Sequence, residues 1–137
     1  MTKKILCAVD GSEASRHAVL EASEMAKATG AELVLLAVDQ VIFEGRSAPV
    51  HKLGEEKIKK VLDAARSTAQ TAGATKVTAV GVANRDVGRA ILNYAEEHDV
   101  DHIVVGTGEK GAGTRLVVGS VSHDLVVRAH CSVTVAR

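Results

Sequence analysis

The sequence predicts an α/β fold, a doubly wound five-stranded parallel sheet in the order 3-2-1-4-5 with helices on both faces. Two observations support this fold class. Short apolar runs alternate along the chain with longer segments that have apolar residues at helical spacing. Most of the short runs are apolar throughout, as expected for parallel strands covered on both faces. Because crossovers between parallel strands are right-handed, the predicted strand order reverses between the first and fourth strands.

Five apolar runs predict the strands. The third run alternates apolar and polar residues in its first half, which indicates a strand that is less covered than the others. In chain order the predicted strands are Lys4–Val9, Glu32–Val38, Lys76–Val82, His102–Val105 and Ser132–Ala136.

Four helices are predicted between the strands. Ser12 is placed to cap the first helix and Gly30 to end it, and the inner face of this helix is mostly alanine, which lets it pack close to a sheet. The second helix begins at about Leu53 and stops at Gly73. The third contains Val87, Ala90, Ile91 and Tyr94, and the fourth contains Val121, Leu125, Val126 and Ala129.

The segment Gln40–His51, between the second strand and the second helix, is predicted to be a mobile loop. It contains Pro49, the one proline of the chain, and Phe43, one of its two aromatic residues. Its place after a strand end predicts that it borders the carboxyl edge of the sheet.

Composition narrows the possible functions. The chain has 137 residues, which fits one domain over 1–137, and its 17 basic residues balance 17 acidic ones. A neutral chain without tryptophan lacks the basic patches and stacking platforms of a general nucleic-acid binder. Since no apolar run is long enough to cross a membrane, we expect no membrane insertion and a cytoplasmic location.

The two cysteines are expected to be structural. Cys7 and Cys131 form no CxxC or metal-binding pattern, and each lies in an apolar run, where a thiol is usually buried and inert. The fourth strand separates their predicted strands, so the two thiols are roughly 10 Å apart and cannot form an intrachain disulfide.

The glycine-rich segment after the fourth strand, residues 105–122, is the most informative part of the sequence. It ends with Gly119 and Ser120 at the predicted start of the fourth helix, where backbone N–H groups and the helix dipole attract anions. The hydroxyls of Ser120 and Ser122 add donors, and the glycines, Gly106 included, let backbone approach a ligand. Together these features predict a phosphate-binding loop at the strand-order reversal; the alternative is a flexible loop followed by an ordinary capped helix.

Two common nucleotide motifs do not apply. Residues 106–111 match the dinucleotide fingerprint G-x-G-x-x-G, but that fingerprint belongs after the first strand, with a helix beginning inside it. The segment also lacks the G-K-[S/T] of a P-loop. A dehydrogenase and a standard NTPase are therefore not favoured.

Asp10 follows the first strand and has two compatible interpretations. Its carboxylate is expected to accept a hydrogen bond from its own turn, and it is also placed to contact a ribose or a metal ion. Catalytic residues are not expected, because Ser12, His123 and Asp124 lack a nucleophile elbow. The six histidines show no metal-ligand spacing, so no metal site is expected either.

The opening KILCAVDGSEASRHAVLEA, the glycine-rich segment and the ending GSVSHDLVVRAHCSVTVAR resemble a small universal stress protein. The resemblance covers the whole chain, and its most specific part is the motif G-x-x-G, nine residues, then G-[S/T]. It implies the 3-2-1-4-5 sheet and binding of an adenine nucleotide, since many members bind ATP and others bind AMP or cyclic nucleotides. Mg²⁺ is a possible companion ion.

Site residues follow from the resemblance by position. Asp10 is expected at the ribose, the backbone of Val38 at adenine, and the start of the fourth helix at phosphate. The full predicted set is Ala8, Val9, Asp10, Val38, Val105, Gly106, Thr107, Gly108, Glu109, Gly119, Ser120, Val121 and Ser122.

Glu109 departs from the family pattern. With nine residues, 110–118, between it and Gly119, Glu109 stands where the motif has its second glycine; a shifted alignment on Gly108 and Gly111 restores the glycine but leaves only seven residues before Gly119. A carboxylate there opposes a triphosphate, an effect that Lys110 offsets in part. The ungapped alignment therefore predicts a preference for AMP or a cyclic adenine nucleotide over ATP.

The function expected from these residues is that of a non-enzymatic, nucleotide-binding stress or regulatory protein. One alternative is a nucleotide-free dimeric adaptor that regulates a transporter or another partner, and a third is a slow ATPase or self-phosphorylating protein. The resemblance also implies a homodimer that pairs through the fifth strand, with Val133 and Val135 at the interface.

Overall fold

Strands and helices alternate along the chain in the computed structural model, which describes residues 2–43, 45, 48–107 and 119–137. Within these residues there are six strands and four helices. The strands are β1 (Lys4–Val9), β2 (Glu32–Ile42), β3 (Val50–His51), β4 (Val77–Asn84), β5 (His102–Gly106) and β6 (Ser132–Ala136). The helices are α1 (Glu13–Thr29), α2 (Gly54–Thr71), α3 (Val87–Glu97) and α4 (Ser120–Arg128).

The predicted α/β fold class is confirmed, with a correction to the sheet. Five parallel strands pair in the sequence β4-β2-β1-β5-β6, so the order reverses between β1 and β5. The sheet has a sixth strand, because the short β3 pairs antiparallel with the end of β2 through Val41–His51 and Ile42–Val50. The prediction of five strands, all parallel, is therefore wrong, since a two-residue strand has no periodicity to reveal it.

The prediction of a loop over Gln40–His51 is wrong at both ends. β2 continues to Ile42 because its backbone stays paired with β4 as far as Gln40–Asn84, and its last two residues pair with β3. The segment ends inside β3, and the N–H of Lys52 donates to the carbonyl of Gln40 at 3.0 Å. Residues 44, 46 and 47 lie outside the described residues.

Each face of the sheet is covered by two helices. On one face α1 and α2 pack over alternate strand residues such as Ile5 and Cys7, and the small Ala18 and Ala22 let α1 approach the sheet closely. On the other face α3 and α4 cover the intervening residues, Leu6 among them. Edge strand β4 alternates partly buried and exposed positions, as its sequence predicted.

A glycine sets the distance between α3 and α4. A Cβ at Gly88 in the first turn of α3 would lie 2.7 Å from the Oδ2 atom of Asp124 on α4. The other carboxylate oxygen of Asp124 lies 3.0 Å from Nε of Arg128. The absence of a side chain at Gly88 therefore lets the carboxylate of one helix approach the backbone of the other.

The two cysteines differ. Both are free, and Cys7 is fully buried, which raises the pKa of its thiol to about 12. Cys131 lies just before β6 and is only half-buried, so the prediction of two buried thiols is wrong for this residue. Burial and the charge of Asp101 raise the pKa of the Cys131 thiol. None of the helices in the described part of the chain has the length and hydropathy required to cross a bilayer.

Candidate ligand-binding crevice

A crevice of about 480 Å³ opens at the carboxyl edge of the sheet, where the strand order reverses. After β1 the chain turns into α1 on one face, and α4, which follows β5, lies on the other face. Because these two connections diverge, a space opens between them, as is general for sheets of this kind.

Ten of the predicted site residues line this crevice. They are Ala8, Val9, Asp10, Val38, Val105, Gly106, Gly119, Ser120, Val121 and Ser122. Thr107 lies beside it, and its carbonyl accepts a hydrogen bond of 2.8 Å from the N–H of Gly119. Gly108 and Glu109 lie outside the described residues, so the role predicted for Glu109 stays a prediction.

Further lining residues were not predicted from the sequence. They are Ser12, Ala14, Ser15, Leu36, Val87 and Ile91. The pair from α3, Val87 and Ile91, has the four-residue spacing of one helix face, and Leu36 lies two residues before Val38 on the same strand face. These two spacings were the signals available in the sequence.

The walls of the crevice are aliphatic. Ala8 and Val38 from the sheet face Val87 and Ile91 of α3, and all four belong to or pack against one hydrophobic core. None of the residues that line the crevice in the described part of the chain is aromatic. A flat apolar ring would therefore be held by aliphatic contacts and backbone groups.

Asp10 organises the turn between β1 and α1. Its Oδ1 atom accepts a hydrogen bond from the N–H of Ser12 at 2.9 Å, which confirms the predicted turn-forming role. Its own N–H donates to Oγ of Ser15 at 3.2 Å. Asp10 is exposed, and its Oδ2 atom has no hydrogen-bond partner among the described residues. One carboxylate oxygen therefore holds the turn while the second is available to a ligand.

The start of α1 is satisfied by the protein itself. The Oγ atom of Ser12 accepts a hydrogen bond from the N–H of Ser15 at 3.1 Å, and Glu13 adds an acidic side chain in the first turn. Both features stabilise a helix N-terminus.

The start of α4 lacks these features. Its N-cap is Gly119, which has no side chain to accept a hydrogen bond, and the first turn contains no acidic residue. The first intrahelical hydrogen bond of α4 is donated by the N–H of His123 to the carbonyl of Gly119. The N–H groups of Ser120, Val121 and Ser122 therefore have no acceptor among the described residues, and they lie at the crevice.

Two predicted donors are already engaged. The hydroxyl of Ser122 is buried and donates to the carbonyl of Gly106 at 2.6 Å, so it is engaged within the protein, and its predicted contact with a ligand stays a prediction. The N–H of Gly119 donates to Thr107, as described above. The sequence could not reveal either contact, because both depend on how the end of β5 lies against the start of α4.

Gly106 has a packing role. A Cβ at this position would lie 2.5 Å from the carbonyl oxygen of Ala14 in α1. Since real Cβ atoms do not approach backbone oxygen so closely, α1 packs against β5 at this point only because residue 106 is glycine. The sequence analysis predicted that this glycine lets a ligand approach the backbone. In the structure it lets α1 approach β5.

An α/β domain with a crevice at its strand-order reversal, lined by helix N-termini, has the architecture of the doubly wound α/β class, in which ligands generally bind at this place. Residues 1–137 match the model of the universal stress protein family. The chain belongs to this family, as the resemblance in its sequence predicted.

Curated relatives agree with this assignment over their full length. The chain is 32% identical to universal stress protein YxiE of Bacillus subtilis, with 100% of both chains covered. It is 33% identical to a universal stress protein of Thermus aquaticus, again with 100% of both chains covered.

Solved structures share the fold. Universal stress protein UspA of Lactobacillus plantarum superposes with a TM-score of 0.79 at 26% identity, covering 98% of this chain and 97% of that one. A universal stress protein in complex with cAMP has a TM-score of 0.79 at 23% identity, with coverage of 98% and 97%. The universal stress protein of Archaeoglobus fulgidus in complex with dAMP has a TM-score of 0.76 at 21% identity, with coverage of 100% and 98%.

Proposed function

We propose that this protein is a cytoplasmic regulatory protein that binds an adenine nucleotide in the crevice and catalyses no reaction. Its output is a change of conformation or of partner binding. The observation that carries the proposal is the uncapped start of α4, where the N–H groups of Ser120, Val121 and Ser122 face the crevice without an acceptor among the described residues. Such a helix start favours an anion such as phosphate.

The rest of the crevice fits the other parts of a nucleotide. The aliphatic walls at Val38, Val87 and Ile91 suit the base, and the unpartnered Oδ2 atom of Asp10 suits a ribose hydroxyl. The anionic Asp10 lies at the already satisfied start of α1, so phosphate is directed away from it and toward α4. These features support an orientation with the ribose at β1 and the phosphate at α4.

The solved relatives support the ligand class. Of the two nucleotide complexes described above, one contains cAMP and the other dAMP, and both ligands are adenine nucleotides with a single phosphate. A preference of this chain for AMP or a cyclic form over ATP is the finer proposal, and it depends on Glu109.

The absence of turnover is supported by the chemistry of the crevice. Among the lining residues that the structure describes, Asp10 is the one titratable side chain, and one of its oxygens is held by Ser12. The hydroxyls of Ser12 and Ser122 are both engaged in protein hydrogen bonds. Neither serine is paired with a base, which nucleophilic catalysis requires.

The test is a calorimetric titration of the purified protein with AMP, cAMP and ATP, each with and without Mg²⁺, followed by measurement of phosphate release. Binding without release supports the proposal. Absence of binding to all three nucleotides supports the nucleotide-free adaptor, and release of phosphate from ATP supports the slow enzyme.

We also propose that two copies pair through β6 to form a homodimer. β6 has one partner in the described sheet, β5, so its other edge is unpaired, and Val133 and Val135 on it are half-buried. The exposed Val126 and Val127 of the neighbouring α4 add apolar surface beside the region.

Light scattering at tens of micromolar should give the mass of a dimer, and Val135→Asp should give a monomer. A monomeric wild type would contradict the proposal, and Val135→Thr is the matched control for the fold.

A further inference from the structure

A second cavity, of about 220 Å³, lies along α3, between it and the C-terminal end of α4, and shares no lining residue with the crevice. Its floor consists of core side chains, among them Leu92 and Ala95 of α3 and Ile103 of β5. Cys131 forms part of the wall, with its thiol half-buried. None of these four residues lines the nucleotide crevice.

The rim of the cavity is polar and has an excess of positive charge. Two arginines, Arg89 and Arg128, stand against one acidic residue, Glu96, and His130 also lines the rim. Arg128 is paired with Asp124 at 3.0 Å, and Nε2 of His130 lies 3.7 Å from Glu96. Arg89 has no ion-pair partner among the described residues, so it is the rim cation available to a ligand.

The charge of the cavity changes along its length. Arg89 lies in the first turn of α3, whose start is already capped by Asp86, so the guanidinium of Arg89 rather than the helix dipole would bind an anion. The opposite end is lined by the C-terminus of α4, Glu96 and Cys131, and its cations Arg128 and His130 lie against Asp124 and Glu96, so among the described residues no unpaired cation is present there. Burial raises the pKa of the Cys131 thiol, so at neutral pH this end presents a neutral, polarizable group.

We propose that this cavity binds a small monocarboxylate with an unbranched apolar body, its carboxylate at Arg89 and its tail at Cys131. The seven-residue step from Arg89 to Glu96 spans about 10 Å along α3, which suits a chain of about eight carbon atoms. An apolar floor with one polar group that fixes orientation is the general form of a small-molecule site.

The experiment uses octanoate and methyl-labelled isoleucine in the intact protein. Ile103 lines the cavity, Ile91 lines the crevice, and Ile58 packs on the other face of the sheet. Titration with octanoate should shift the Ile103 methyl signal to saturation, shift Ile91 less, and leave Ile58 in place. The uncharged octan-1-ol should bind about fivefold more weakly, the expected effect of one exposed ion pair.

Two variants separate charge from fold. Arg89→Gln should weaken octanoate binding about fivefold and leave octan-1-ol binding unchanged. Lys59→Gln removes the same charge from the exposed face of α2 and should bind octanoate like the wild type.

The thiols give an independent readout. Octanoate should slow alkylation of Cys131, whereas the fully buried Cys7 remains unreactive in every sample. A larger shift at Ile91 than at Ile103 would assign octanoate to the crevice and overturn the proposal. Equal binding of octanoate and octan-1-ol, or no shift at ~10 mM octanoate, would also overturn it.

Discussion

The starts of α1 and α4 lie at the same edge of the sheet, and both border the crevice, but they differ in chemistry. At α1 the oxygen atoms of Asp10 and Ser12 accept backbone hydrogen bonds, and Glu13 opposes the positive end of the helix dipole. At α4 the cap is Gly119, and no described side chain accepts from the first turn. A helix start whose N–H groups are satisfied by the protein has a structural role, whereas unsatisfied N–H groups at a helix start favour an anion.

At the starts of the remaining two helices, as at α1, side chains of the protein accept hydrogen bonds from the free N–H groups. Asp86 caps α3, and its Oδ1 atom accepts from the N–H of Arg89 at 3.1 Å. The start of α2 is capped by a residue distant in sequence: the carboxylate of Asp39 on β2 accepts hydrogen bonds from the N–H groups of Leu53 at 2.9 Å and Gly54 at 3.1 Å. Among the helices that the structure describes, α4 is therefore the exception.

Asp39 combines burial with ionisation. It is 6% exposed, and its Oδ2 atom lies 2.9 Å from Nδ1 of His51 in addition to its two backbone contacts. Burial by itself would raise the pKa of the Asp39 carboxyl, but the hydrogen bonds and the nearby imidazole outweigh burial and hold that pKa below its usual value. The buried carboxylate therefore stabilises the fold in its charged form.

Removing the side-chain acceptor at the start of α2 should have the greatest effect on the free energy of unfolding. Asp39→Ala leaves two N–H groups and an imidazole without their acceptor, and should lower the free energy of unfolding by about 3 kcal/mol. Glu56→Ala, which removes an exposed acid from the first turn of the same helix, should cost only about 0.5 kcal/mol. Urea unfolding at pH 7 measures both. If Asp39→Ala costs no more than Glu56→Ala, the cap on α2 is not formed in solution.

The second prediction concerns pH. Because the folded-state pKa of Asp39 is lowered, its contribution to stability is present above the unfolded pKa of about 3.9 and is lost as pH falls through the folded value. Between about pH 5 and pH 3 the wild type should therefore lose stability faster than Asp39→Asn. Urea midpoints of the two proteins across this range are the measurement. Parallel pH profiles would contradict the assignment of a charged carboxylate.

The third prediction concerns a side-chain cap introduced at the start of α4. Gly119 has φ −60° and ψ 159°, a conformation that any residue adopts, so Gly119→Asp can cap α4 without strain. The new carboxylate should occupy the free N–H groups and repel phosphate, lowering AMP affinity at least tenfold, which is about 1.4 kcal/mol. The fold should become slightly more stable. Calorimetric titration and thermal unfolding follow the two effects.

Gly119→Asn is the matched control for this change. Asparagine caps a helix about as well as aspartate but has no charge. A smaller loss of AMP affinity in Gly119→Asn than in Gly119→Asp would separate competition for the N–H groups from repulsion of phosphate. Unchanged binding in both variants would mean that the ligand does not contact the start of α4.

The smallest effect is expected at the start of α1. Ser12→Ala removes the cap at Ser15 and should lower the free energy of unfolding by about 1 kcal/mol. Since the Ser12 hydroxyl oxygen is already committed to the protein, AMP affinity should change less than about threefold, well under the effect at Gly119. A tenfold loss of affinity in Ser12→Ala would mean that both helix starts hold the ligand, and the contrast between them would fail.

Features that depend on residues close together in the chain could be predicted from the sequence. Alternating periodicities predicted the α/β class. Helix α1 begins after Ser12 and ends before Gly30, as predicted, because capping involves residues three or four positions apart. The position of the crevice also followed, since Asp10 and Gly119 come directly before helices at the predicted reversal of strand order.

Contacts between distant segments could not be predicted from the sequence and are seen in the folded structure alone. Asp39 caps a helix that begins fifteen positions later, at Gly54, and the hydroxyl of Ser122 donates to the carbonyl of Gly106, sixteen positions earlier. Gly106 in turn is required by Ala14, on a helix that follows a different strand. Residue type indicates that a hydroxyl, a carboxylate or a glycine is useful at a position. Which partner it meets depends on how closely helices and strands pack, and that distance is set by the whole core rather than by local sequence.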